Sequence, residues 1–241
     1  MRAATPVVRL WAMPVGGLSE ADVEGWRAVL DDSERQRAAR FVFERNRVEY
    51  IAAHALARRL LSNVTGDPPE AIRFGIGVNG KPELLGGGRA SPCVRFNLSH
   101  TEGMVVVGAA AGLELGVDVE AIDRSVDLAV ADRYFFGAEA RWLAGLEPSR
   151  RPEGFLRLWT LKEAYIKATG LGMSQPLDEF WFEVDATRIR FTPAIADDES
   201  AWRFRQQLLA GRFLVAAGWR LGAGPEPAVT VETLSPAELR F

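Results

Sequence analysis

Residues 159–172, WTLKEAYIKATGLG, decide the fold of this chain. Pro152 suits a first helical turn and Gly170 suits a C-terminal stop, so the sequence predicts a long helix between them. Four apolar residues recur at helical spacing and would face a core: Leu158, Leu161, Tyr165 and Ile166. The rest of the chain can be interpreted by what would pack against this helix.

One edge of the same helix would carry polar groups. Trp159, Glu163 and Lys167 are four residues apart, so they lie in a row. By itself the row also fits an ordinary exposed Glu–Lys pair, which stabilises a helix by about 0.2–0.5 kcal/mol. Lys162, beside Glu163, fits equally a supporting charge at a site and a solvent-facing side chain.

The composition excludes several classes of function. The chain has 241 residues, 48% of them hydrophobic, and its net charge of -3 gives no global reason to expect nucleic acid or an anionic membrane as a partner. Its single cysteine, Cys93, excludes an internal disulfide and a cysteine-based zinc site. The N-terminus lacks the apolar run of a secretory signal or a membrane span, so we expect a cytoplasmic protein.

The predicted elements run strand, helices, strands, helices, strands, which favours an α+β fold. Strands are predicted at 6–13, 72–74, 94–98, 104–110, 115–120, 180–184, 189–191, 202–208, 213–219 and 229–233. Helices are predicted at 20–30, 50–61, 126–134 and 138–146 besides the long one, and a loop at 86–92. The element order of the first half is loosely repeated in the second, which suggests halves at 1–114 and 115–241.

Residues 116–120, GVDVE, place two carboxylates on one face of a predicted strand. Asp118 and Glu120 would lie about 6.5–7 Å apart, while Val117 and Val119 would face a core. This alternation also fits an ordinary half-exposed strand. A third carboxylate, Glu163, would complete an oxygen-rich site that suits Mg²⁺ together with the phosphates of a substrate.

Two further stretches offer groups for an anion. Residues 96–100, FNLSH, put Ser99 and His100 at the end of a strand, where they can donate to phosphate oxygens. Residues 79–82, NGKP, form a tight turn in which Gly80 can take positive φ and Lys81 is held in place. Each stretch alone also fits a turn, with a packed histidine or a solvated lysine.

Together the stretches GKP, FNLSH, GVDVE and WTLKEAYIKATGLG resemble one family in their order and spacing. It is the larger, single-chain, surfactin-synthetase-activating type of 4′-phosphopantetheinyl transferase, and the resemblance spans about residues 30–185. The family implies two similar α+β halves related by a pseudo-twofold axis. It also implies transfer of the phosphopantetheine arm of coenzyme A to a serine of an apo carrier protein, with Mg²⁺ or Mn²⁺ and release of adenosine 3′,5′-bisphosphate.

The resemblance assigns roles to individual residues. Asp118, Glu120 and Glu163 would hold the metal. From the three acids and the nearby lysine we further hypothesise that Glu163, directly or through a bound water, takes the proton from the carrier serine. Lys167 would contact the pyrophosphate and stabilise the leaving nucleotide. Lys81, Ser99 and His100 would bind coenzyme A phosphates, with His100 on the 3′-phosphate.

One segment departs from the family pattern. Arg37 falls where the family often has a basic cofactor contact, but Glu34 and Glu49 fall where a basic residue is frequent. Arg47, close to Glu49 in sequence, would substitute for the missing cation. The predicted cofactor ligands therefore include Arg37 and Arg47.

The carrier requires a docking surface, for which the aromatics Tyr134, Phe135, Phe136 and Trp142 are candidates; the same residues also fit core packing. Acyl or peptidyl carriers of fatty acid, polyketide and nonribosomal peptide synthesis all remain open as partners. Two other functions also remain open, a metal-dependent phosphohydrolase and a non-catalytic module that binds coenzyme A or a carrier protein. We expect a monomer, because two halves in one chain would supply the interface that smaller relatives build by oligomerising.

Overall fold

A computed structural model describes residues 6–85, 94–222 and 224–241. The predicted loop at 86–92 and Cys93 lie outside these ranges. Contacts divide the chain into two compact units: unit 1 comprises Met1–Leu113 with Ala223–Phe241, and unit 2 comprises Glu114–Gly222. The sequence placed the second half at 115–241, whereas the contacts group its last residues with unit 1.

Unit 1 is built on a mixed four-stranded sheet in the order β11-β1-β5-β4. Its strands are β1 (Val7–Pro14), β4 (Val94–Thr101), β5 (Met104–Ala111) and β11 (Ala228–Thr233). The β1–β11 pair is parallel and the other two pairs are antiparallel. Because β11 pairs with β1, the C-terminal residues complete this sheet.

The helices of unit 1 are α1 (Glu20–Val29), α2 (Asp32–Ala38) and α3 (Glu44–Thr65). Helix α3 packs on β5 and β4 with a nearly continuous buried face that includes Ile51, Leu56 and Leu60. A separate hairpin joins β2 (Arg73–Ile76) to β3 (Pro82–Leu85), and Gly80 in its turn has φ 81°, as predicted. Helix α2 was missed, because its sequence DSERQRA carries no apolar stripe.

Unit 2 contains the antiparallel sheet β6-β10-β9 and the long helix that the sequence predicted. Its strands are β6 (Leu115–Ala121), β7 (Phe180–Glu183), β8 (Arg188–Phe191), β9 (Trp202–Leu209) and β10 (Phe213–Arg220). Its helices are α4 (Ala129–Tyr134), α5 (Gly137–Gly145) and α6 (Arg151–Thr169). Gly170 ends α6 in the left-handed conformation, with φ 71°, and frees the chain to turn.

Helix α6 packs on β6 and β10 through the predicted apolar stripe. Leu158, Leu161 and Tyr165 are at most 1% exposed, and Ile166 is also buried. Tyr165 contacts three aromatic rings, those of Phe180, Phe191 and Trp202. The α+β class is therefore confirmed, with helices packed on a mixed sheet in unit 1 and on an antiparallel sheet in unit 2.

Candidate active site

The close approach of β6 to α6 positions the predicted carboxylates. Val117 and Val119 of β6 are buried in the core, as the alternation predicted. Asp118 therefore lies on the opposite face and, at 5% exposure, is itself buried. Helix α6 contributes Glu163 and Lys167, both half-buried, from the edge that the four-residue spacing predicted.

Lys167 forms the strongest contact of this site. Its Nζ donates to Oδ1 of Asp118 at 2.6 Å, and the pair joins α6 to β6. The ammonium offsets the charge of one carboxylate, and the lysine side chain is 27% exposed at the edge of the acidic group. The site therefore carries both charge signs, as a phosphate-transfer site needs.

The acidic side chains raise one another's affinity for protons. Burial and the neighbouring charge of Asp118 raise the pKa of Glu163, and Glu120 adds to the shift while Lys167 opposes it. Burial and Asp118 likewise raise the pKa of Glu120. The structure thus brings Asp118, Glu120 and Glu163 close enough to repel one another, and a bound cation would relieve that repulsion.

Glu120 has a partner that the sequence analysis missed. Arg124 follows the turn after β6. It donates to Oε1 of Glu120 at 3.0 Å, and its Nε lies 2.7 Å from Oε2. The sequence feature that could have indicated this pair is the separation of four residues between Glu120 and Arg124. It was overlooked because residue 124 lies beyond the predicted strand.

In the part of the chain that the structure describes, no three His, Cys, Asp or Glu side chains are arranged as a ready-made metal site. Lys167 and Arg124 instead pair with two of the three predicted ligands. The donor set still fits Mg²⁺ or Mn²⁺ chemically, because it consists of carboxylate oxygens that repel one another. Occupation of the site would require these cationic partners to shift.

Lys162 has neither of the roles considered for it. It is fully buried, and its Nζ donates to the carbonyl oxygens of Leu177 and Phe180 at 2.8 and 2.7 Å and to Oε2 of Glu139 at 2.8 Å. Burial raises the pKa of Glu139 and lowers the pKa of Lys162, although each charge opposes the shift of the other. Lys162 therefore fastens α5 and the segment before β7 to α6.

Unit 1 places the predicted anion ligands at the end of β4 and in the β2–β3 turn. Ser99 is buried, whereas His100 is 41% exposed and its Nδ1 lies 3.4 Å from Oε2 of Glu49. Glu49 is thus a neighbour of His100 rather than a substitute for a basic ligand. Lys81 is half-buried directly after the strained turn.

The two arginines predicted as cofactor ligands differ in position. Arg37 lines a cleft of about 780 Å³ in unit 1, together with Gly80 and Pro82 of the β2–β3 turn. Arg47 is absent from that lining and pairs with Glu44 on its own helix at 2.5 Å. Arg37 thus lies on the wall of a cleft, whereas Arg47 has its partner on α3.

The predicted docking aromatics are divided between core and surface. Phe135 is buried and stacks on Phe155, and Trp142 packs against the same core. Phe136 is half-buried and stacks on Trp181 at 4.3 Å, while Tyr134 is 45% exposed. Core packing thus accounts for two of the four.

Comparison with known proteins identifies the family. A model described as the 4′-phosphopantetheinyl transferase superfamily matches residues 114–221, and one described as 4′-phosphopantetheinyl transferase, N-terminal, matches residues 19–112. The chain is 31% identical over 221 residues to 4′-phosphopantetheinyl transferase HetI of Nostoc, covering 91% of this chain and 90% of the relative.

Two further relatives are also named as phosphopantetheinyl transferases. 4′-Phosphopantetheinyl transferase Sfp of Bacillus subtilis is 28% identical over 163 residues, or 68% of this chain and 70% of the relative. The L-aminoadipate-semialdehyde dehydrogenase-phosphopantetheinyl transferase of Xenopus laevis is 27% identical over 224 residues, or 86% and 74%. The chain belongs to the 4′-phosphopantetheinyl transferase superfamily, and the predicted family and transferase class are confirmed.

The helices within the described ranges differ in length. Among them, none is both long enough and apolar enough to cross a membrane. The longest, α3, has buried and charged residues mixed along its length.

Proposed function

We propose that this protein transfers the 4′-phosphopantetheine arm of coenzyme A to a serine of an apo acyl or peptidyl carrier protein. The reaction requires Mg²⁺ and releases adenosine 3′,5′-bisphosphate. The observation that carries the proposal is the meeting of Asp118, Glu120, Glu163 and Lys167 across the β6–α6 contact, in a chain that belongs to this transferase family.

Asp118, Glu120 and Glu163 are the residues that would hold the metal. Bound there, Mg²⁺ supplies neutralisation of the charge on the pyrophosphate. The carboxylates offer only hard oxygen donors, which is the preference of this ion.

Glu163 acts as the general base toward the carrier serine. Its side chain projects from α6 to the same contact as Asp118, and in the metal-free site burial and the charge of Asp118 raise its pKa. The carboxylate is the form that accepts a proton, and it predominates at pH values above its pKa. The serine oxygen then attacks the phosphorus that bears pantetheine.

Lys167 stabilises the leaving nucleotide. Its ammonium donates to Asp118, and its side chain is 27% exposed. Phosphoryl transfer depends on charge placement more than on covalent catalysis, so one positioned cation contributes directly. Arg37, Lys81, Ser99 and His100 of unit 1 are also proposed as ligands of coenzyme A.

The test is transfer to a panel of apo carriers from fatty acid, polyketide and peptide synthesis, followed by intact mass spectrometry. We expect the mass of one phosphopantetheine arm on at least one carrier, lost with EDTA and with Glu163→Gln. Glu153→Gln, an exposed glutamate in the first turn of the same helix, is the matched control and should retain transfer. Near-normal turnover of Glu163→Gln would remove the proposed base.

The same experiment ranks the partners. A carrier that gains the arm fastest is the preferred acceptor, and transfer from acetyl-coenzyme A would show whether the arm can be acylated. We further propose a cytoplasmic monomer, which gel filtration with light scattering tests. Release of inorganic phosphate from simple phosphoesters, without any carrier modification, would contradict the transferase.

A further inference from the structure

The proposed reaction gives no role to Arg124, a cation that lies beside the predicted metal ligands of unit 2. Its Nη2 donates to Oε1 of Glu120 at 3.0 Å, and its Nε lies 2.7 Å from Oε2. A divalent cation that binds Glu120 takes the same oxygens, so it displaces the guanidinium. The displaced side chain is then available to an anion that enters the site.

The pair between Arg124 and Glu120 is incomplete in its hydrogen bonds. The Nε atom of Arg124 is buried, and it donates no hydrogen bond within the part of the chain that the structure describes. Its short distance to Oε2 of Glu120 gives an ionic attraction without the alignment that a hydrogen bond requires. Nη1 reaches only the carbonyl oxygen of Ser125, at 3.2 Å. The guanidinium therefore holds a buried donor that a further acceptor would satisfy.

The turn after β6 holds the backbone of Arg124 beside the site. The backbone N–H of Ile122 donates to the carbonyl oxygen of Arg212 at 2.9 Å. The Nε of Arg212 donates in return to both carboxylate oxygens of Asp123, at 3.1 and 2.9 Å. The backbone N–H of Arg124 itself donates to the carbonyl oxygen of Ala121 at 3.2 Å. Displacement from the carboxylate therefore moves the side chain alone, and the guanidinium stays within reach of the end of β6.

The charges of the site change sign when a divalent cation binds. When ionised, the three acids Asp118, Glu120 and Glu163 carry one more charge than the two cations Lys167 and Arg124. A divalent cation turns this net negative charge into a net positive one, which attracts an anion. The Arg124 side chain is 35% exposed and that of Glu120 is 17% exposed, so the guanidinium lies on the side that an entering anion meets first.

We propose that Arg124 is a further ligand of the pyrophosphate of the donor, and that it changes partner from Glu120 to the phosphoryl oxygens when a divalent cation binds. The inference rests on the proposed function, which brings a pyrophosphate to this site. The planar fork of an arginine matches two oxygens of one phosphate, and Nε gains its missing acceptor. Metal and pyrophosphate then bind with positive coupling, because each favours the arrangement in which Arg124 has left Glu120.

The measurement is the calorimetric affinity of the intact chain for coenzyme A, taken once with Mg²⁺ and once with EDTA. With Mg²⁺, we expect Arg124→Gln to weaken binding roughly tenfold, as for a lost charged hydrogen bond. With EDTA, the wild-type guanidinium stays on Glu120, so the same substitution should weaken binding by no more than about threefold through the loss of one nearby charge. The difference between the two solutions measures the change of partner.

Two further variants separate this contact from other effects of the arginine. Arg124→Lys keeps the positive charge but not the fork, so we expect a loss with Mg²⁺ that is smaller than that of Arg124→Gln. It also keeps a cation for Glu120, so it provides the same comparison if the glutamine variant unfolds. Arg205→Gln is the control, because Arg205 is an exposed arginine of β9 whose Nε donates to Gln207 at 3.1 Å. It should bind coenzyme A normally in both solutions.

The outcomes keep this inference apart from the proposed function. A loss of affinity in Arg124→Gln that appears mainly with Mg²⁺ supports the assignment. Equal losses in both solutions, or none, overturn it, and transfer by the wild-type protein then leaves the proposed function intact. A raised carrier KM with unchanged coenzyme A affinity also overturns it, because Arg124 would then contact the carrier. A wild-type protein that neither binds coenzyme A nor modifies any carrier removes the proposed function and this inference with it.

Discussion

Gly116 of β6 lies so close to Ala164 of α6 that a Cβ at position 116 would stand 2.1 Å from the Ala164 carbonyl oxygen. The same Cβ would also lie 2.4 Å from the backbone nitrogen of Ala168. Backbone atoms cannot rotate aside, so only glycine permits this separation. The contact sets the distance between the carboxylates of β6 and the Glu163–Lys167 edge of α6.

Gly116→Ala should therefore damage both stability and transfer. Separating the helix from the strand should lower the free energy of unfolding by about 3 kcal/mol or more, as in severe overpacking. Urea unfolding measures the first effect, and transfer per folded molecule measures the second. The matched control is Gly25→Ala in the interior of α1, where a Cβ meets nothing within 4 Å. It should stabilise the protein by about 0.5–1 kcal/mol.

Removal of the buried ammonium of Lys162 should lower the free energy of unfolding rather than act directly on the transfer reaction. Lys162→Met leaves the Glu139 carboxylate buried with only backbone donors at Phe136 and Phe182, so we expect a loss of about 3–5 kcal/mol. Lys162→Met with Glu139→Gln should recover part of it, because the uncompensated charge is gone. Urea midpoints of the single and double variants provide the test. A single variant as stable as wild type would contradict the role.

The long helix and the apolar strands could be predicted because local pattern and tertiary burial agree there. Pro152, Gly170 and the stripe through Tyr165 gave α6 nearly to the residue. Helix α2 and strand β3 were not found, because one is polar and the other is four residues long in a turn-rich segment. The return of β11 to β1 is a long-range pairing, which local sequence does not encode.

The acids and Lys167 of the candidate site could likewise be found from spacing and family resemblance. The partners of those residues could not. Arg124 on Glu120, Glu49 beside His100 and Glu34 on His54 are contacts between side chains whose proximity depends on packing. Glu34 departs from the family pattern, in which a basic residue is frequent at this position. In the structure its carboxylate contacts His54.

Arg124→Gln should increase the affinity for a divalent cation. The guanidinium now competes for the oxygens of Glu120, and we take this partly buried pair to be worth about 1 kcal/mol or less. We expect Mn²⁺ to bind about two- to fivefold more tightly, measured from the spectrum of free Mn²⁺ by electron paramagnetic resonance. Arg133→Gln, which alters an arginine over Tyr134, is the control. Weaker binding in Arg124→Gln would mean that this arginine supports the carboxylate instead.

The Glu34 network should make the protein sensitive to acid. Burial raises the pKa of Glu34, but the hydrogen bonds and charges of His54 and Arg58 outweigh it and hold the pKa below the ordinary 4.5. The stabilisation is therefore complete above that value and is lost as the pH falls through the lower, folded-state pKa. Near neutral pH, Glu34→Gln should cost about 3 kcal/mol, because Arg58 loses its buried partner.

As the pH falls below about 4.5, the wild-type free energy of unfolding should drop more steeply than that of Glu34→Gln, and the two curves should converge. Urea unfolding at a series of pH values from neutral to strongly acidic measures both curves. Glu44→Gln is the control, because Glu44 pairs with Arg47 at the exposed surface and should change the acid limb little. Parallel curves for wild type and Glu34→Gln would show that the carboxylate does not lose its stabilising charge in this range, and that the acid sensitivity of the fold arises elsewhere.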